Sequence, residues 1–379
     1  MRMHIERLDE MSPAALEGLL TDLGARGDVS SVLLLLAEDG LPARNRWPEI
    51  VAPAGVPVVG GVFPRVLFGD EVLERGAVAV GLPVSIHATV ITEVSEEVAA
   101  FEARVADAFE ALDPQGQTVL VLFDATSSHV DALLSALFEQ VGLLGTYLGG
   151  GAGSLSFERI PCVLTPQGML EDAALIALID LPSVVGVMHG WKAISLPLQV
   201  TASHGRVIEA LDHRPAAEVY ESLVESHSGQ RFGDDFFALA RSYPLGIMQL
   251  DGEVVVRDPV VRDGTDLLCV GEVPVGAYVQ LLYGDEDSLL AAAERAGDRA
   301  RAGSARVEAA QAPVVGLVLD CISRVLYLGD RFGEELDRLD LGVARVGAAT
   351  IGEVCNPGDR YLELYNKTVV AARLGASSG

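Results

Sequence analysis

The chain has 379 residues, half of them hydrophobic, and 27 basic against 54 acidic side chains leave a formal net charge of −27. With no run of Lys or Arg, that balance excludes a nucleic-acid backbone or an anionic membrane surface as partner. The apolar content excludes disorder for most of the chain, and no apolar run approaches the roughly 18 residues of a membrane helix. Arg2, Glu6, Arg7, Asp9 and Glu10 are unlike a secretory leader, so a soluble, cytoplasmic protein is expected. The four cysteines, Cys162, Cys269, Cys321 and Cys355, are far apart and without CxxC spacing, which reads as reduced core thiols.

In chain order, one pattern occurs three times: an apolar strand ending at an acid, a helix or long loop, then a second apolar strand running into glycine. It reads first as residues 32–37 with Glu38, then 56–59 into Gly60-Gly61. After a strand at 77–81 and a helix at 96–112, it returns as residues 119–123 with Asp124, a helix at 130–141, and 146–148 into Gly149-Gly150-Gly151. Strands at 174–179, 184–188 and 199–202 follow, and a helix at 215–224 opens on Pro215. Short strands at 254–256, 266–271 and 278–283 are separated by Asp/Gly turns, including Asp251-Gly252. An alanine-rich helix at 285–311 leads into the third copy: residues 314–319 with Asp320, a helix at 324–339, and 343–346 into Gly347.

Fully apolar strands imply burial on both faces, while the hairpin signals rule against a purely doubly wound sheet. The expected fold is therefore α/β with mixed, α+β-like sheets. Two associated halves meet near residue 220, helices pack outside, and the strand–helix–strand units are internally related.

Few residues carry obvious chemistry. Backbone N–H groups of Gly149, Gly150 and Gly151 follow a strand and could face an anion, although glycines there equally suit close packing. The seven histidines show no metal-ligand spacing, but a single axial haem ligand needs no motif, and His189, beside Gly190 and Trp191, is the first candidate. Arg257 and Asp258 adjoin at a turn. Cys321 follows Asp320 and precedes Arg324, a context in which a thiolate nucleophile is conceivable. A zwitterionic amino acid needs a guanidinium for its carboxylate and an acid for its ammonium; Arg324 with Asp320 or Glu353 would supply both. The same pairs could simply brace the fold.

Taken in order, several motifs resemble the FIST family. Gly60-Gly61-Val62-Phe63, the triple glycine before Ala152-Gly153, His189-Gly190-Trp191 and Val200-Thr201-Ala202 look like its N-terminal region, as does the run from Arg206 to Tyr220. Pro244-Leu245-Gly246, Val256-Arg257-Asp258-Pro259, Asp320-Cys321 with Arg324, Gly352-Glu353 and Asn366 with Thr368 resemble its C-terminal region. Phe63-Pro64 departs from the small polar turn usual after the first glycines.

The resemblance implies an N-terminal extension at 1–28, a FIST N-terminal-like domain at 29–220, a C-terminal-like domain at 221–372 and a tail at 373–379. It further implies a bacterial sensory module that binds a small ligand, such as an amino acid or other small carboxylate, and signals through a protein partner without a fused output domain. Two alternatives stay open: a haem-binding nitric-oxide sensor using His189, and a cysteine-dependent enzyme using Cys321. No cofactor is expected under the first reading. The expected site combines His189, Trp191, Gly149–Gly151, Arg257, Asp258, Asp320, Cys321, Arg324 and Glu353.

Overall fold

The computed structural model describes residues 2–96, 98–109, 114–249, 254–304, 314–356 and 361–375. The turn at Asp251-Gly252, the last residues of the helices expected at 96–112 and 285–311, and the C-terminal four residues lie outside them.

The chain folds as three copies of one β-α-β-α-β-hairpin-β unit. The first comprises β1 (His4–Leu8), α1 (Pro13–Gly24), β2 (Ser31–Ala37), α2 (Trp47–Val51), β3 (Val58–Phe63), the hairpin β4 (Arg65–Phe68) and β5 (Glu71–Leu73), and β6 (Ala77–Leu82). The second repeats the order with β7 (Ile86–Thr92), α3 (Val98–Phe109), β8 (Thr118–Asp124), α4 (Val130–Val141), β9 (Thr146–Ala152), the hairpin β10 (Val163–Thr165) and β11 (Gly168–Leu170), and β12 (Ala173–Ile179).

The third begins at β13 (Ser183–Met188) and is interrupted by an insertion. The inserted elements are β14 (Lys192–Ala193), β15 (Leu198–His204), β16 (Val207–Leu211), β17 (Arg214–Pro215), α5 (Ala216–Ser228), α6 (Phe236–Ala240), β18 (Leu245–Met248), β19 (Val254–Asp263), β20 (Asp266–Val270) and β21 (Tyr278–Tyr283). The unit resumes with α7 (Glu286–Ser304), β22 (Val315–Cys321), α8 (Ile322–Leu328), α9 (Phe332–Arg338), β23 (Arg345–Thr350), the hairpin β24 (Glu353–Asn356) and β25 (Glu363–Tyr365), and β26 (Val369–Leu374). The single helix expected at 324–339 is thus two short ones around Gly329, whose backbone is left-handed.

Each unit centres a six-stranded sheet with the same pairing. In all three the second strand runs parallel to the third and antiparallel to the last: β2 with β3 and β6, β8 with β9 and β12, β22 with β23 and β26. The outer hairpin of each sheet comes from another unit. β10 pairs with β3, β24 with β9, and β4 with β23, so the hairpins are exchanged cyclically and lock the three units together. The inserted strands form a separate eight-stranded antiparallel sheet.

The sheets are mixed and the helices pack outside them, as the apolar strand pattern requires. Residues 1–28, set apart as an extension in the sequence reading, supply β1 and α1 of the first unit; Ser12 caps α1 by accepting the Ala15 N–H.

The glycines mark equivalent places. Gly60 stands opposite Leu34, Gly149 opposite Val121 and Gly347 opposite Val318 in the three parallel ladders. A Cβ at these positions would come within 1.8, 1.8 and 2.0 Å of the partner's carbonyl oxygen, so only glycine fits. The acids are not equivalent. Measured from those partners, Glu38 is four residues on, Asp124 three and Asp320 two, so that only Glu38 lies beyond its strand.

Candidate functional site

A cavity of about 490 Å³ opens at the C-terminal ends of the parallel strands β22 and β23, the end where open α/β sheets bind ligands. Its floor is Cys321, Ile322 and Ser323 at the start of α8, with Ile351 and Gly352 from the turn after β23. One wall is the Asn366–Lys367 turn between β25 and β26. The insertion covers it with Phe237, Ala238 and Arg241 from α6 and Asp258 from β19, and Leu155 and Phe157, which follow β9, close the far side. Helix α6 exists because Asp235 caps it, accepting the Ala238 N–H at 3.1 Å. A cleft of about 730 Å³ beside Arg44 and Val90 is larger. Among the described residues, however, none that lines that cleft carries a buried, unpaired side-chain polar atom, whereas two residues of the first cavity, Asp258 and Asn366, do.

The polar wall is built on Lys367. Its Nζ donates to Asp258 Oδ2 at 3.0 Å and to the Arg241 carbonyl at 2.9 Å, and lies 5.2 and 5.9 Å from the ring centres of Trp191 and Phe237. Both Lys367 and Asp258 are buried. Burial pushes the Asp258 carboxyl above its ordinary range while Lys367 pulls it back. Asp258 Oδ1 and Asn366 Oδ1 have no hydrogen-bond partner.

The structure brings only part of the expected site to this cavity. Asp258 and Cys321 line it, and Trp191 stands behind Lys367, donating its indole N–H to the Lys367 carbonyl. Arg324 is fully buried and committed: it donates to Glu335, to the carbonyls of His189, Leu289 and Lys367, and sits 3.2 Å from Asp320 Oδ1. Burial and Glu335 drive the Asp320 carboxyl well above its ordinary range, and burial raises Glu335 too, while the Arg324 guanidinium pulls both back.

Glu353, also fully buried, accepts from Thr350 Oγ1 at 2.8 Å and from the Thr368 N–H at 3.3 Å. Arg257 donates to the carbonyls of Glu272, Val256 and Leu364. These groups brace the third unit and leave no donor pointed at a ligand carboxylate. Gly150 and Gly151 serve close packing: a Cβ on Gly151 would lie 2.2 Å from the Ile351 carbonyl oxygen, so the run sets the turn that floors the cavity.

Cys321 is not an activated thiol. Burial and the neighbouring Glu353 push it up to about 12, while Ser323 Oγ donates to its sulfur at 3.0 Å. His189 does not line the cavity, and its Nδ1 accepts the Trp191 N–H at 3.0 Å, which places the ring proton on Nε2. A ligating histidine ordinarily keeps one nitrogen as donor to the protein and the other free for the metal. The surroundings of His189 therefore do not fit an axial haem ligand. No group of three or more His, Cys, Asp or Glu side chains among the described residues could hold a metal ion.

Lys367 and Asn366 were not among the expected site residues, although Asn366 entered as part of a C-terminal motif with Thr368. Lys367 is one of only two lysines, beside 25 arginines, which is the signal that could have found it.

Residues 12–214 match the FIST N domain and residues 216–356 the FIST C domain. The chain belongs to the FIST family. FIST domains are sensory domains, so this one has a role in signal transduction. No curated protein matches the chain. No helix among the described residues of this FIST protein is long and apolar enough to cross a membrane. The boundary between the two FIST regions falls inside the insertion, at β17, so both regions contribute to the third unit and both line the cavity.

Proposed function

We propose that the cavity above β22 and β23 is the sensory site and that it takes a small organic ligand of amino-acid size. The carrying observation is a concave, mostly apolar space at the C-terminal ends of the parallel strands, lined by a few polar residues that include the buried Lys367–Asp258 pair. Asp235 and Asp258 against Arg241 and Lys367 make the charged lining two and two, and a zwitterionic amino acid leaves that balance unchanged. A signalling partner would read the position of α6, which Lys367 ties to the polar wall through the Arg241 carbonyl.

A thermal-shift screen over amino acids and small carboxylates tests the reading. A ligand at 100 times its Kd stabilises the fold by about 2.7 kcal/mol, a readily measured rise in Tm. Ala238→Trp, placed on the exposed cover helix, fills the cavity and should abolish the rise. A shift that survives in this variant would move the site elsewhere.

A further inference from the structure

We infer that a groove between the first and second units is a second binding site, separate from the sensory cavity, and that it takes a neutral oligosaccharide. Glu38 and Asp39 directly follow β2, and a cleft of about 460 Å³ opens on them, in the place that the cavity above β22 holds in the third unit. The same place in the second unit is filled. There Arg159 donates to Ser95 and Thr126, and Asp124 accepts from Thr126 Oγ1 and the Asp172 N–H. The turn after β9 divides the cleft of the first unit from the sensory cavity: its Ser154 and Ser156 line the cleft, whereas Leu155 and Phe157 line the cavity. Arg44 and Met169 belong to this cleft and also to the larger one of about 730 Å³ beside Val90, so the two run together as one open groove.

The lining sets the ligand's chemistry. Asn45 and Gln167 in the larger cleft, with Ser154 and Ser156 in the smaller, are uncharged groups that both donate and accept, as a sugar hydroxyl does. Asn45, Gln167 and Ser156 are exposed, so a ligand reaches them. Of the charged residues, Arg44 and Glu38 are already countered. Arg44 donates to Glu171 at 2.8 Å, and Glu38 accepts the Leu155 N–H at 2.9 Å with Arg65 3.9 Å away. An anion would compete with Glu171 for Arg44, and a cation would find Asp39, exposed to water that screens its charge. A polyol displaces neither partner, because Arg44 keeps further N–H donors and Asp39 accepts from a hydroxyl. Pro42, Pro48 and Pro161 supply rigid apolar surface for the C–H faces of the rings. Two clefts meeting at Arg44 suit a chain of rings better than a single ring.

The test is isothermal titration with maltotriose, cellotriose and triacetylchitotriose, their monosaccharides glucose and N-acetylglucosamine, and N-acetyl-trialanine amide. At least one trisaccharide should bind, with its monosaccharide weaker by about tenfold or more, because a single ring forgoes the hydrogen bonds of one cleft. Arg44→Leu, at the junction, should weaken that trisaccharide by about tenfold, the scale of one hydrogen bond from a charged group. Ser156→Trp, which fills the smaller cleft, should reduce it to the monosaccharide's affinity or below. Arg44 and Ser156 are both exposed, so each variant should keep the wild-type melting temperature. Ala238→Trp, in the sensory cavity, should leave sugar binding unchanged. A flat response to every sugar, equal affinity for trisaccharide and monosaccharide, or binding indifferent to both groove variants overturns the inference. If the alanine peptide binds and the sugars do not, the groove takes a peptide and the carbohydrate assignment fails. Sugar binding lost in Ala238→Trp but kept in Ser156→Trp would place it in the sensory cavity and equally overturn the inference.

Discussion

Lys367 Nζ and Asp258 Oδ2 lie 3.0 Å apart between the Asn366–Lys367 turn and β19, and water reaches neither side chain appreciably. The pair joins the third unit to the insertion, which is otherwise a separate sheet. Removing one member leaves the other charge buried without its partner, a loss of about 3–5 kcal/mol. Lys367→Met should therefore lower the urea midpoint strongly at neutral pH. The defect should shrink in acid, where a protonated Asp258 needs no counter-charge. The double variant Lys367→Met/Asp258→Leu should recover much of the loss; if it falls as far as the sum of the two single variants, the pair is not the unit that matters.

The three ladder glycines offer a test of the internal repeat. Alanine at Gly60, Gly149 or Gly347 places a methyl inside the carbonyl oxygen of the adjacent strand, and neither backbone can yield without breaking the ladder. Each substitution should destabilise by about 3 kcal/mol or more, a severe case of overpacking. Gly18 in α1 is the control: a Cβ there meets nothing within 4 Å, so Gly18→Ala should stabilise by up to about 1 kcal/mol through helix propensity. Circular dichroism melts of the four variants would read both signs. A mild effect at one of the three ladder positions would break their equivalence.

Much of the fold was legible because burial on both faces writes itself as runs such as Val32–Ala37 and Val119–Phe123, and because a glycine inside such a run has a steric cause. The hairpin exchange was not legible. Nothing local tells β10 to pair with β3 instead of its own unit, since partner choice lies in distant complementarity. Strand β1 escaped notice because its residues alternate charge and apolar bulk at a half-buried edge. In the site, chemistry-bearing residue types drew attention to Arg324, Asp320 and Glu353, which prove to be buried beneath the cavity, Arg324 held by Glu335 and three carbonyls and Glu353 by Thr350 and Thr368. The residues that do line the cavity, Asp258, Asn366 and Lys367 among them, come together from β19 and the turn before β26, and only coordinates reveal that meeting.

Cys321 gives a chemical prediction. With its thiol pushed up to about 12, the thiolate fraction near pH 8 is negligible, and the other three cysteines are buried as well. Iodoacetamide should leave the native protein unlabelled over the time in which free cysteine reacts fully, and label all four thiols once urea unfolds the chain. Fast modification of Cys321 in the native state, with a midpoint under the ordinary value for a thiol, would revive the nucleophile reading.

His189 sets the acid limit of stability. Burial first, then the cations of Arg324 and Arg295, lower its pKa from 6.5 to about 4. The unfolded chain thus takes up a proton near pH 6.5 that the folded chain refuses until about pH 4. The stabilisation from a neutral His189 is complete above pH 6.5 and is lost as pH falls through that window, at about 1.4 kcal/mol per unit, or roughly 3 kcal/mol in all. Asp320 and Glu353 act with the opposite sign. Their raised values mean the folded state holds protons the unfolded state releases, so their contribution is complete below about pH 4, where ordinary carboxyls are protonated, and declines as pH rises. His189→Asn keeps an oxygen near the position of Nδ1 to accept the Trp191 N–H but cannot titrate. Urea unfolding of both proteins at pH 7, 6, 5 and 4.5 should show wild type losing stability relative to His189→Asn at each step down. A constant difference across the series would mean that the folded protein protonates the His189 ring as readily as the unfolded chain does.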